Sequence, residues 1–112
     1  MNRNEMKVMI SQPMTGLSDE EVIAVRNRAK EKLLDAGYVH IMNGFWCNDA
    51  SIEDQMHKNG VLHTGISYLG KALEILSKCD AVYFCKGWEN SKGCRIEHET
   101  AVLYGLTILH EV

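Results

Sequence analysis

The stretch DAVYFCKGWENSKGCRIEHETAVLYG, Asp80 to Gly105, constrains this chain most. Asp80–Lys86 is its most strand-like run, β-branched and aromatic, with the unbroken apolarity of a strand buried on both faces. A polar loop with two glycines follows. Gly93–Tyr104 then has the spacing of a helix and carries acids in its first two turns. A buried strand entering a helix through a short polar loop is one half of a βαβ unit, so the other elements must form a parallel sheet around it.

The preceding chain supplies those elements. Lys7–Ser11 is a short apolar run read as the first strand, and Ser11–Ser18 (SQPMTGLS) is the loop after it, where Pro13 cannot extend a central strand. Ser18-Asp19-Glu20-Glu21 reads as a capping box opening a helix. Val22, Val25, Ala29, Leu33 and Ala36 form its apolar stripe, and Gly37 is its stop. Tyr38–Met42 reads as the second strand. Asn43–Gly65 reads as a long irregular connection with a weak amphipathic patch near Ile52–Met56, and connections of that length are usually functional or mobile. Ser67–Lys78 is a helix with Leu69, Ala72, Leu73 and Leu76 on one face, and Leu106–Leu109 is the last strand. The expected fold is one α/β domain over residues 1–112. It is a Rossmann-like, flavodoxin-like three-layer sandwich, with a mostly parallel sheet of four to five strands and helices on both faces.

Charge and cysteine usage narrow the function classes. The net charge of −3 comes from interleaved acids and bases, without the basic stripe of a nucleic-acid surface. No apolar run is long enough to span a membrane. The N-terminus carries no export signal, so a cytoplasmic chain is expected, with Cys47, Cys79, Cys85 and Cys94 as free thiols. Neither a GxGxxG fingerprint nor a Walker loop is present, and no cofactor is expected.

Ligands of such sheets bind beyond the carboxyl ends of the strands. Two loops leave such ends and enter helix N-termini, whose unpaired N–H groups suit an anion. One offers Ser11, Pro13, Met14, Thr15, Gly16 and Ser18; the other offers Gly87, Trp88, Asn90, Ser91 and Gly93. Turn and cap formation alone would also account for these residues. Glu97 lies in the second turn of the last helix, with Ala101 beside it at i+4 leaving room for a ligand. Glu99 lies about 160° around the helix, toward Arg95 or solvent. Stabilisation of the helix N-terminus is the alternative role for Glu97.

Other constellations are weaker. Cys94 and His98 stand at i and i+4, but two ligands do not make a metal site, and none is expected. Phe45, Trp46, His57 and His63 in the long connection could close over a bound base or fill a core edge or interface. Tyr83 reads as core, Trp88 as pocket wall or interface, and Arg95 as a phosphate contact or a solvated cation.

KVMISQPMTG near the start and CDAVYFCKGWENSKGCRIEHETAVLYGL near the end resemble the small domain-of-unknown-function proteins of bacteria and phages related to nucleoside 2-deoxyribosyltransferases. Gly87, Trp88, Glu89, Ser91, Gly93, Glu97, Ala101 and Gly105 all fall in that group's register. The resemblance implies a deoxyribosyl site between the two loops and a homo-oligomer, dimer or tetramer, in which neighbouring subunits complete each other's sites. It implies that Glu97 is the nucleophile at the anomeric carbon, as in the transferases and deoxynucleotide N-glycosidases, and that Ser91 and Gly93 receive a 5′-phosphate. It also implies an acid eight residues ahead of Asp80, where this chain has Ala72; Asp80 is then the candidate substitute. The expected function is glycosyl transfer or hydrolysis at an N-glycosidic bond of a nucleoside or nucleotide. The alternative is a non-catalytic nucleotide-binding protein on the same fold.

Overall fold

The computed structural model describes residues 1–42 and 50–112. Its described strands are β1 (Lys7–Ser11), β2 (His40–Met42), β3 (Ala81–Phe84) and β4 (Thr107–His110). The helices are α1 (Asp19–Asp35), α2 (Ala50–Lys58), α3 (Thr64–Leu76) and α4 (Lys92–Leu103). A single 3-10 turn, Trp88–Asn90, precedes α4. The sheet runs β2-β1-β3-β4 and every pair is parallel, so the described strands form the expected flavodoxin-like α/β sandwich.

Alternation along β1 and β3 divides the core in two. Val8, Ile10, Ala81, Tyr83 and Cys85 face Ala29 and Leu33 of α1. Met9, Val82 and Phe84 face Leu76 of α3 and Ala101 of α4. Helices therefore cover both faces, which is why β3 reads as apolar throughout: all four of its residues are buried.

Local chemistry sets the element ends. Ser18 Oγ accepts from the Glu21 amide and Glu21 Oε1 accepts from the Ser18 amide, each at 3.2 Å, completing the expected capping box. At the far end of α1 the Tyr38 amide donates to the Leu33 carbonyl at 2.9 Å while Gly37 takes φ +98°, a combination that closes the helix. This bond shortens the second strand: the Tyr38 N–H is already used, so pairing starts at His40 rather than Tyr38. Tyr38 instead packs below Arg3, whose guanidinium carbon is 5.6 Å from the ring centre.

Three further boundaries differ from those expected. Part of the presumed irregular connection is α2, which buries Met56 and packs against α3. The α3 helix starts at Thr64 rather than Ser67; its N-cap, His63, makes no side-chain capping bond, so the usual start signal is missing. The last strand begins at Thr107 because the Leu106 amide still donates to Ala101 O at 2.9 Å, ending α4. Phe45, Trp46 and Cys47 lie outside the described residues.

In register, Ser11 pairs with Phe84, so the carboxyl ends of β1 and β3 are level. The chain leaves β1 toward α1 on one face and leaves β3 toward α4 on the other. Adjacent strands whose exits diverge create a crevice between them, the switch point where open α/β sheets bind ligands.

Candidate functional site

A cleft of about 960 Å³ occupies that crevice. Its floor is the end of β1, Met9 to Ser11. One wall is the Gln12–Thr15 loop with Arg26 of α1. A second wall is the Gly87–Gly93 segment leading to Cys94, Ile96 and Glu97 of α4. The third comes from α3 and its approach, with His63, Tyr68, Leu69 and Ala72. Helix α3 can form this wall because it runs into the amino end of β3, which puts its own N-terminus at the carboxyl edge of the sheet.

Ten of the thirteen candidate residues collect at or beside this crevice, while Ser18 serves as the α1 cap. Ser11, Pro13, Met14, Thr15, Gly87, Asn90, Ser91, Gly93 and Glu97 line the cleft. Gly16 sits just outside the lining, at φ +82°, where the loop turns toward the α1 cap. Gly87 is also left-handed, at φ +89°, and a Cβ there would meet Pro13 Cγ at 3.6 Å. The two loops thus approach each other across the switch point.

Asp80 is displaced from the site altogether. It stands at the amino end of β3, where Oδ2 accepts from the Lys7 amide at 2.9 Å and its backbone links Lys7 and Thr107. The substitute acid suggested for Ala72 is therefore a clamp holding the starts of β1, β3 and β4 together, at the opposite edge of the sheet from the cleft. Trp88 also turns out of the cleft. Its ring stacks on His98 with centroids 4.1 Å apart and planes at 14°, and both rings lie within 5.4 Å of Phe84. His98 is thus part of an aromatic cluster packed on the end of β3. Cys94, one turn before Glu97, is buried in the cleft wall.

Glu97 reaches the cleft from the second turn of α4. It is 8% exposed, and its Oε2 accepts a hydrogen bond from Ser11 Oγ at 3.2 Å. Burial pushes its carboxyl up to about 7 against the opposing pull of the Ser11 hydroxyl, because removal from water disfavours the charged form. At neutral pH the group is therefore divided between acid and carboxylate, the condition of a side chain able to take part in proton transfer or nucleophilic attack. Burial likewise raises the Cys94 thiol, with hydrogen bonding to Ser11 and Ser91 opposing the rise. Glu99, two residues on, is exposed, as its angular position requires.

Among the described residues of the lining Glu97 is the one acid, whereas Arg26 and Lys92 are cations. Ser91 caps α4 by accepting from the Cys94 amide at 3.3 Å, so part of the loop's polarity is spent on the helix itself. Gln12 is tied back to α1 by a 3.0 Å bond from Nε2 to the Val22 carbonyl. Sequence reading missed Arg26, Tyr68 and Lys92. The Arg26 signal was a cation one turn after Val22 beside a helical stripe otherwise apolar; Tyr68 had none, because the start of α3 was misplaced. Among the described residues no three His, Cys, Asp or Glu side chains gather as metal ligands, and no helix is long and apolar enough to cross a membrane. Cys79, Cys85 and Cys94 are free thiols.

The model of a family described as a domain of unknown function, DUF4406, matches residues 6–110. Comparison with curated proteins and with solved structures finds no match.

Proposed function

Since the chain belongs to the DUF4406 family, whose description assigns no activity, its function has to be read from its own cleft, and we propose that it acts on the N-glycosidic bond of a nucleoside or nucleotide through Glu97. The observation that carries this reading is a single buried carboxylate, held by Ser11, inside a cleft that is otherwise neutral or cationic. A lone carboxylate at a carbon that becomes cationic in the transition state can stabilise that charge and then bond to the carbon, dividing one difficult displacement into two. The lining suits such a ligand at both ends. Tyr68, Leu69 and Ile96 offer apolar surface to a base, and Lys92, Arg26 and the start of α4 offer cations and N–H groups to a phosphate. The resemblance to the deoxyribosyltransferase group supports the same assignment, with Glu97 as nucleophile and Ser91 and Gly93 near the phosphate.

Incubation with a panel of 2-deoxyribonucleosides and their 5′-monophosphates tests this reading by release of free base. Release that disappears in Glu97→Gln supports it; no release at high protein concentration, or release unchanged in Glu97→Gln, sinks it. One observation favours the non-catalytic alternative: Ala72 lines the cleft and contributes no second acid. In that case nucleotides would raise the melting temperature without being cleaved. A cytoplasmic homo-oligomer remains part of the proposal, and sizing chromatography checks the assembly.

A further inference from the structure

A bond from carbon to a nucleobase nitrogen breaks readily only if the departing nitrogen receives a proton, so a carboxylate nucleophile normally works with a separate acid. The described lining of the cleft supplies few groups for that work. Arginine keeps its proton in proteins, and lysine and tyrosine, the types of Lys92 and Tyr68, ordinarily part with theirs only in strongly basic solution. Burial makes the Cys94 thiol hold its proton more tightly. Glu97 cannot attack the carbon and protonate the base in the same step. Histidine is the side chain suited to giving and taking a proton near neutral pH, and one histidine lines the cleft, His63. It sits at the N-cap of α3, on the wall that also carries Tyr68, Leu69 and Ala72, where an apolar base would rest. Its ring makes no capping bond to the helix it precedes, and the residue is solvent-exposed, so its orientation is not committed to the fold.

We propose that His63 is the proton donor to the leaving base, acting across the cleft from Glu97; this rests on the glycosidic reading of the site. In the first step the Glu97 carboxylate bonds to the anomeric carbon. The carbon–nitrogen bond breaks, its electron pair passes to the base, and the base takes a proton from the His63 imidazolium. In the second step water attacks the same carbon and yields its proton to the now neutral ring. The ester bond breaks with its electron pair returning to Glu97. A free sugar phosphate and a free base result, and the proton balance closes on His63.

Two substrates distinguish this role from a structural one. A purine 2-deoxyribonucleotide needs protonation on departure, whereas a 4-nitrophenyl 2-deoxyriboside 5-phosphate loses nitrophenolate without it. In a single-turnover measurement, His63→Gln should slow purine release by roughly 10²-fold or more while leaving the first release of nitrophenol nearly unchanged; the later turnovers of both substrates should slow, because the second step also uses the ring. In His63→Ala, added imidazole should restore purine release, and thermal melting should match the wild type because the ring makes no fold-holding bond. Equal loss on both substrates in the first turnover, or no loss on either, overturns the assignment. Turnover that needs Glu97 but not His63 overturns this inference alone; a wild-type chain that cleaves neither substrate overturns both it and the glycosidic reading.

Discussion

The Ser11 hydroxyl donates to Glu97 Oε2 across 3.2 Å, joining the last residue of the first strand to the second turn of the last helix. This bond is the main polar force working against burial at Glu97. Replacing Ser11 with Ala removes a donor that favours the charged carboxylate, so the Glu97 carboxyl should titrate above its present value of about 7. Carboxyl-carbon NMR of the two proteins across the neutral range measures the shift. A titration that stays in place or moves down would mean that Ser11 does not tune the group.

The same carboxyl makes stability depend on pH in an unusual direction. Its value when folded, about 7, lies above the 4.5 of an unperturbed group, so between those limits the folded chain holds more of the proton than the unfolded chain. Stability from this group is complete below about 4.5 and falls as pH rises toward and through 7. Glu97→Gln should flatten that decline and be more stable than the wild type at pH 8, by at most on the order of 3 kcal/mol. Urea melts at pH 5 and pH 8 test it; a variant less stable at both would show that the carboxylate is held by partners stronger than Ser11. Glu111 slopes the other way. Burial pushes its carboxyl up, but the Lys86 amide, Lys32 and Arg28 outweigh that and hold it below the usual range. Its contribution fades only as the solution becomes acidic.

Asp80→Ala separates the clamp from the cleft. Loss of the 2.9 Å acceptor for the Lys7 amide should cost about 1–2 kcal/mol, since a hydrogen bond to a charged partner disappears at the start of two paired strands. Ligand affinity and any base release should stay within about twofold once the folded fraction is matched, because Asp80 and the cleft lie at opposite edges of the sheet. A selective loss of turnover without loss of stability would return Asp80 to the site.

Gly93→Ala asks whether a glycine serves the ligand or the fold. A Cβ at Gly93 meets nothing within 4 Å and the position is helical, so the substitution should stabilise α4 by about 0.5–1 kcal/mol. Because Gly93 lines the cleft at the first turn of α4, the added methyl should nonetheless weaken binding of a nucleoside monophosphate relative to the nucleoside. Calorimetric titration of both ligands decides. Equal affinities before and after the change would remove the phosphate from this end of the cleft.

Where sequence and structure part company, the cause is physical in each case. The parallel sheet and its two candidate loops were legible because β3 is apolar on both faces and each loop combines turn residues with a helix start. Glu97 was legible because its offset from Ser91 and its neighbour Ala101 fix its face on α4. The second strand was overextended because Tyr38 is strand-prone yet has its amide claimed by Leu33. Asp80 and Trp88 lie away from the cleft for one reason: proximity in sequence to a site does not say which edge of the sheet, or which side of a helix, a residue meets. Arg26 and Tyr68 needed the tertiary structure, since only packing brings α1 and α3 to the same crevice.

The central pairing of β1 with β3 has a consequence for how the site comes into being. Its partners are separated by most of the chain, and Ser11 and Glu97 by 86 positions. Contacts of such long range form late, because the loop between them must be closed first. The floor of the cleft and Glu97 come from segments far apart in the chain, so the cleft is complete only when β1 and α4 have met. A ligand that binds the finished cleft would therefore stabilise the domain as a whole, because it would touch the end of β1 and the start of α4 together.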